Sequence, residues 1–298
     1  MAKVALVIPN WNGAEKLRKH IPNVLIASKF CGVEEIIVSD DASTDESVRI
    51  LDQEFPEVRV VKREKNGGFA SNVNFGVSQT KADFTVLLNN DASPAKDFLK
   101  SLMPHFKDPK VFSIGCNTGG VWNKAKFENG FFWHMQADVD LGDIKEAHQT
   151  LWASGGSAVF RRSIWDELGG LDALFDPFYE EDLDLGYRAR KRGYINLWEP
   201  NSKVEHYIDK GVIASNFSKN QISRVAQRNQ LIFIWKNITS SSMSSEHLKA
   251  LVKMLLVHPK YWSVFISAGV KWPQINAKRQ IEISQSKFTD EEVLASLA

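Results

Sequence analysis

Short unbroken apolar runs alternate, over the first 117 residues, with stretches whose apolar positions recur every three or four residues. The runs "KVALVIP", "EEIIVSDD", "VRVVKRE", "DFTVLLNND" and "KVFSIGC" read as strands. The periodic stretches "AEKLRKHIPNVLIASK", "TDESVRILDQEF", "GGFASNVNFGVSQT" and "AKDFLKSLMPHF" read as helices. Pro22 predicts a kink or break in the first helix. Thr44 reads as the N-cap of the second, ahead of an acidic first turn. Strands and helices alternating at this spacing predict βαβ units and a largely parallel sheet. Strands without polar interruptions fit a sheet covered on both faces.

The rhythm is lost after Thr118. Residues 118–150 are aromatic and glycine-rich with no clear period. "FDPFYEEDLDLGYRARKRG" reads as a loop entering a helix, "INLWEPNSKVEHYI" as two short strands, and "KNQISRVAQRNQLIFIWKN" as a helix. Beyond Thr239 a serine-rich linker leads into an amphipathic, apolar tail. The organisation expected is residues 1–117 and 118–239 as two halves of one α/β domain, followed by a helical extension over 240–298.

Composition narrows the partners. The chain has 298 residues with 37 Lys and Arg against 36 Asp and Glu, which excludes the basic excess of a general nucleic-acid binder. Two cysteines, Cys31 and Cys116, stand at no zinc or redox spacing and read as reduced, buried thiols in a cytoplasmic protein. The N-terminal apolar run is too short for a signal peptide, and no run is long enough to span a membrane.

Candidate chemistry collects at the strand ends, where open α/β sheets bind ligands. "NWNG" carries Asn12 just after Pro9. "SDDAST" carries Asp40 and Asp41, "KNGGFASN" carries Asn66, Gly67 and Asn72, and "LNNDAS" carries Asn90 and Asp91. A carboxylate after the second strand can accept from a ribose hydroxyl or a base imide; Asp, Ser and Thr are also ordinary turn formers. A glycine-rich turn opening a helix allows close backbone approach and favours an anion, and is equally a plain strand-to-helix turn. Asp91 is a hard oxygen donor suited to Mg²⁺ or Mn²⁺ shared with phosphates; "NND" is also a common turn before a Pro-started helix. No dinucleotide fingerprint or P-loop is present.

Taken in order, "VIPNWNG", "DDASTDES", "NGGFASNVNFG" and "LLNND" resemble the nucleotide-sugar-binding half of family-2 inverting glycosyltransferases with the GT-A fold. "ASGGSAVFRR", "YEEDLDLGYRARKRGY" and "QRN" continue the resemblance, which covers Lys3 to Asn237. It looks closest to soluble, non-processive rhamnosyl- and galactosyl-type transferases of bacterial surface glycans. The fold this implies is a Rossmann-like, mostly parallel sheet flanked by helices. Asp40 would then contact the base. Asp91 would hold Mn²⁺ or Mg²⁺ as the last residue of a D-x-D-type motif, with Asn89 where that motif carries Asp. Asp182 would be the catalytic base, with Glu181 competing for the role.

His206 would complete the metal site, unless it is a packed core residue alternating with Val204 and Ile208. Arg228 would clamp the departing diphosphate, unless Arg224 and Arg228 are plain surface charge. Trp122, Trp133 and Trp152 are candidates for stacking on an acceptor sugar, and equally for the core. The implied donor is a UDP- or dTDP-activated hexose or deoxyhexose, and the acceptor a glycan or lipid-linked glycan. The processive Q-x-x-R-W motif is absent, which points to transfer of one or a few sugars. The apolar tail suits the inner membrane face, and equally packing on the domain or a homo-oligomer; membrane-peripheral contact is the expectation. Rival readings are a sugar-nucleotide-forming nucleotidyltransferase and a non-catalytic sugar-nucleotide or glycan-binding protein.

Overall fold

A computed structural model describes residues 2–206 and 212–297. In its first half β1 (Val4–Asn10), β2 (Glu35–Asp40), β3 (Arg59–Lys62) and β4 (Phe84–Leu88) are linked by α1 (Ala14–Cys31), α2 (Ser47–Glu54) and α3 (Phe69–Ser78). β1 pairs parallel with β2 and β4, and β2 pairs parallel with β3. Every residue of β1 and β4 is buried because both sheet faces are covered. Leu6 and Ile8 face Leu17, Ile21 and Val24 of α1 and Ile50 of α2, while Val7 and Leu87 face Val73 and Val77 of α3. Truncating one such residue, Leu87→Ala, would cost roughly 2–5 kcal/mol.

Local rules yield in two places here. α1 runs through Pro22 without a break, because Leu17, Ile21, Val24 and Ala27 bury one continuous face around it. α2 starts at Ser47 rather than after Thr44, and has no side-chain cap. The Thr44 amide is instead taken by Asn12 Oδ1 at 2.8 Å, from the loop after β1.

The first half ends with β5 (Ala92–Pro94), the single turn α4 (Leu99–Leu102) and β6 (Val111–Asn117), and the second opens with the hairpin β7 (Asn123–Glu128) and β8 (Phe131–Gln136), β9 (His148–Gln149) and β10 (Ser157–Arg161). It continues with α5 (Arg162–Leu168), α6 (Glu181–Lys191), β11 (Ile195–His206), α7 (Val212–Asn216) and α8 (Lys219–Asn237). The helix expected over "AKDFLKSLMPHF" is only α4 followed by a 3-10 turn over Met103–Lys107. The aperiodic region from Thr118 contains the β7–β8 hairpin, whose partly exposed residues hide a simple alternation.

The main sheet runs β3-β2-β1-β4-β10-β6-β11-β5, with β9 on β11. β10 enters antiparallel between β4 and β6, and β6 is parallel to β11. Where two short strands were expected, β11 is one strand with a register shift between Glu199 and Lys203. Its far end leaves β6 and pairs antiparallel with β5, setting His206 opposite Ala92. Ile208 lies outside the described residues.

The charges of α6 look solvated in sequence but are buried from Leu183 to Lys191. Arg188 pairs with Asp184, Lys191 with Asp290 and Arg192 with Glu282, each at 2.8–2.9 Å. Lys236 of α8 reaches both Asp172 and Asp184. The partners explain the burial, since α9 (Ser241–Val257), α10 (Trp262–Gly269), α11 (Trp272–Gln285) and α12 (Asp290–Ala295) carry Glu282 and Asp290 onto α6. Asp290 also accepts from Tyr187 and from the amides of Thr239 and Ser240. Cys116 is buried, but Cys31 is only half-buried, its thiol at the Lys96 carbonyl. Among the described residues no helix is long and apolar enough to cross a membrane.

Candidate active site

A cleft of about 480 Å³ opens at the carboxyl ends of β1, β2 and β4. It is lined from the first half by Pro9, Asp41, Asn66, Asn72, Asn90 and Asp91, and from the second by Glu181, Asp182 and His206. These nine expected site residues, separated by up to 197 positions in the chain, meet because β10 and β11 fold back beside β4.

The two acids after β2 take different tasks. Asp40 is buried and turned into its own loop, accepting from Asn10 Nδ2, Ser43 N and Ser43 Oγ at 2.6–3.0 Å. That leaves Asp41, not Asp40, on the cleft wall. Asp41 accepts from the amides of Gly67 and Gly68 and from Arg63 Nη1 at 2.8–3.1 Å. Asn12 braces the turn over Ser43–Asp45, and Gly67 donates to Asp41, so neither side presents a free group to the cleft. Asn72 donates to the Ser39 carbonyl and accepts from Ser39 Oγ, pinning α3 to β2.

The glycine-rich turn into α3 reads in sequence either as a place for a ligand anion or as a plain strand-to-helix turn. The α3 N-terminus is occupied by a carboxylate of the protein itself. Asp176 accepts from the amides of Ala70 and Ser71 and from Ser71 Oγ, and Phe69 N donates to the Pro177 carbonyl. The helix-terminal amides are satisfied by this cross-chain cap. Gly68 is required there, because its φ is +97° and a Cβ would sit 2.6 Å from Asp176 Oδ1.

Asp91 ends the β4 side of the cleft with a nitrogen partner on each oxygen. His206 Nε2 is 2.9 Å from Oδ1 and Lys16 Nζ is 2.8 Å from Oδ2. Burial works against the charged form, but His206 and then Lys16 outweigh it and hold the carboxyl down to about 2. The β5–β11 register places His206 here, so it is not a core residue. Asn90 is buried and donates to Asn10 Oδ1, bracing the β1 and β4 loops against each other. Among the described residues no three His, Cys, Asp or Glu gather to hold an ion. Asp91 and His206 do fit a divalent cation that takes its remaining ligands from diphosphate and water. Lys16, which sequence reading passed over, lies 75 positions from Asp91 on a helix face and gave no local signal.

Opposite, the chain enters α6 through Tyr179 and Glu180, both left-handed with φ of 74° and 75°. Two adjacent non-glycine residues there are strained by about 1–3 kcal/mol each. Asn229 secures the loop, its Nδ2 within 2.6–2.9 Å of the carbonyls of Phe175, Phe178 and Tyr179. Arg228 donates to the carbonyl of Asp176 at 2.6 Å and to Asn229 Oδ1. In this structure Arg228 and Asn229 of "QRN" brace the loop, and Arg228 does not line the cleft it was expected to serve.

The loop delivers three acids. Asp182 is half-buried, and accepts from Leu183 N at 2.8 Å and Gly155 N at 3.3 Å. Burial pushes its carboxyl up against the pull of those two amides. Burial pushes Glu181 well above the carboxylate range, with Asp182 adding to it, and its Oε2 has no hydrogen-bond partner. Glu180 is pushed up to about 8 by burial and then by Asp182 and Asp184. His134 stands 3.7 Å from it.

The three expected sugar-stacking tryptophans do not line this cleft. Trp122 is stacked on His148 with ring centroids 4.1 Å apart, Trp152 is packed against Gly186, and Trp133 lies exposed on β8. Aromatic surface comes instead from Trp11, Phe69, Phe178, Tyr179 and Phe217. Trp11 sits inside the quoted "NWNG" stretch, and its position between two strand-end asparagines was the available signal.

A Rossmann-like sheet with a strand-end cleft, one acid–imidazole pair and a second acidic wall defines a GT-A nucleotide-sugar fold. The profile of "Glycosyl transferase family 2" matches residues 5–169, and the chain belongs to that family. It is 35% identical over 238 residues to a beta-monoglucosyldiacylglycerol synthase of Synechocystis sp., covering 75% of this chain and 47% of that protein. It is 25% identical to the O-antigen chain rhamnosyltransferase RfbN of Salmonella typhimurium, covering 70% and 72%. The crystal structure of GalNAc-T7 with UDP, GalNAc and Mn²⁺ superposes with a TM-score of 0.63 at 15% identity, covering 88% of this chain and 57% of that one. The chain spans only 17% to 47% of the first curated relatives it matches.

Proposed function

We propose that this chain is an inverting, metal-dependent glycosyltransferase that moves a hexose or deoxyhexose from a UDP- or dTDP-sugar to a glycan or lipid-linked acceptor. The observation that carries this reading is the pairing, across one cleft, of Asp91–His206 with Glu181–Asp182. The relatives named as glycosyl- and rhamnosyltransferases, and a fold neighbour solved with UDP and Mn²⁺, support it. In this reading residues 1–117 hold the nucleotide, 118–239 present the acceptor, and 240–298 brace α6.

Transfer is a single displacement. The acceptor oxygen bonds to the anomeric carbon as the bond from that carbon to the diphosphate oxygen breaks. The hydroxyl proton passes to a carboxylate, and the electron pair leaves with the nucleoside diphosphate. Asp182 takes the proton, because two amides stabilise its charged form. Glu181 is more deeply buried and has an unpartnered Oε2, and burial with the neighbouring Asp182 favours its protonated form. A divalent cation held by Asp91 and His206 would neutralise charge on the leaving diphosphate. Trp11 and Phe69 supply flat apolar surface for the base or sugar, and Asp41 a carboxylate edge.

The test is Asp182→Asn against a panel of UDP-, dTDP- and GDP-sugars with Mn²⁺ and with EDTA. Transfer is lost while the metal-dependent thermal shift with donor persists, and the wild-type product has the anomeric configuration opposite to the donor by NMR. A retained configuration, pyrophosphate release, or donor binding lost with Asp182 overturns the reading.

A further inference from the structure

We propose that α9 and α10 form a docking face for an anionic lipid bilayer. Leu248, Val252 and Leu256 recur every four residues along one stripe of α9, and Ile266 on α10 is followed four residues on by Val270 at its C-cap. With Trp262 they are 47% to 77% exposed, although the same two helices bury Leu251, Val264 and Ala268 on the domain. Each helix thus has an inner apolar face that is satisfied and an outer one that is not. An apolar cavity of about 450 Å³ between α8, α9, α10 and α11 reaches the same side, lined by both Leu248 and Trp272. Scattered single apolar residues are ordinary on a surface, but six large ones on two successive helices are more than scatter.

Charge selects the occupant. From His247 to Ile281 the chain contains no Asp or Glu and six Lys or Arg. Three of the six turn inward, Lys271 to the Leu174 carbonyl, Lys278 to Asp172 and Arg279 to the Trp235 carbonyl. The other three, Lys249, Lys253 and Lys260, are exposed, flank the apolar stripe and make no ion pair among the described residues. A second copy of this face would bring those ammonium groups against each other. Anionic headgroups would neutralise them while the apolar stripe enters the headgroup boundary, which is how a surface-lying amphipathic helix binds. The inference goes beyond the transferase reading and does not depend on it.

The experiment is sedimentation of the full chain with vesicles of phosphatidylcholine alone or mixed with phosphatidylglycerol. The wild type binds the mixed vesicles at least about tenfold more tightly than the neutral ones, and added salt weakens this. Two variants separate the contributions, Lys249→Glu/Lys253→Glu/Lys260→Glu and Leu256→Ser/Ile266→Ser. Each loses about tenfold or more on mixed vesicles while keeping the unfolding midpoint and the donor-dependent thermal shift. The proposal is overturned if the wild type ignores mixed vesicles or does not prefer them, or if both variants bind as the wild type does. It is equally overturned by a solution dimer that the same substitutions abolish. The donor shift reads the transferase site separately, so failure of either reading is visible without the other.

Discussion

Replacing Lys16 by Met removes the ammonium partner of Asp91 and leaves His206 in place. The Asp91 carboxyl lies at about 2 against an ordinary 3.8. A gap of about 1.8 units corresponds to about 2.4 kcal/mol of preference for the charged form in the folded protein. Burial opposes that preference, and His206 and Lys16 supply it by hydrogen bond and charge. The two together supply this net preference plus the burial penalty, so at an even share Lys16→Met costs at least about 1 kcal/mol at neutral pH. The sign follows from the depressed value. The contribution is complete above 3.8 and is lost as pH falls through 2, so variant and wild type converge in acid. For a chain of this length the neutral-pH loss is about 2 °C in Tm.

Metal binding should move the other way. The Lys16 ammonium holds Oδ2, so its positive charge competes with an incoming Mn²⁺ for the carboxylate. Without Lys16 the carboxylate is free on that side, and about 1 kcal/mol corresponds to roughly fivefold tighter Mn²⁺ in the absence of donor. Calorimetric or paramagnetic-resonance titration of Mn²⁺ into donor-free protein reads this directly. Unchanged or weaker Mn²⁺ binding in Lys16→Met would refute the competition for Asp91, whatever happens to the Tm.

Three further outcomes are expected. Asp182→Asn lowers the transfer rate by about 10²–10⁴-fold with donor affinity kept, measured by single-turnover kinetics and calorimetry. Asn229→Ala leaves the carbonyls of Phe175, Phe178 and Tyr179 without their donor, costing roughly 1–3 kcal/mol in urea unfolding, and lowers turnover by loosening the acid-bearing loop. Glu180→Gln changes the pH dependence of stability. The folded Glu180 carboxyl holds its proton up to about 8, against 4.5 ordinarily, so wild-type stability falls as pH rises through that window. The glutamine variant loses that decline, gaining over wild type at pH 8.5 and not at pH 4; parallel urea curves at every pH would remove Glu180 from the titration.

What the sequence by itself determined is the part set by short-range periodicity. Four unbroken apolar strands, helical spacing between them and polar residues at their ends were sufficient for the βαβ half and for the placement of its ligand cleft. Asp91 could be named as a hard oxygen donor at a strand end, whereas Asp182 and Glu181 were named only through the resemblance to family-2 glycosyltransferases. Tertiary structure decided which polar groups were left available. Asp40 and Asp41 are adjacent in sequence, yet Asp40 bonds into its own loop while Asp41 lies on the cleft wall, tied to Arg63, Gly67 and Gly68. The α3 N-terminus invited an anion, and Asp176, more than a hundred residues away, supplied it. Arg228 reads as a free cation until the carbonyls of the 175–176 loop are placed against it. The charges of α6 read as solvated until Glu282 and Asp290 fold back onto them. In each case the local pattern states what a side chain can bond to, and only the distant chain brought beside it decides which bond is made, because one buried donor or acceptor satisfied by the protein is no longer free for a ligand.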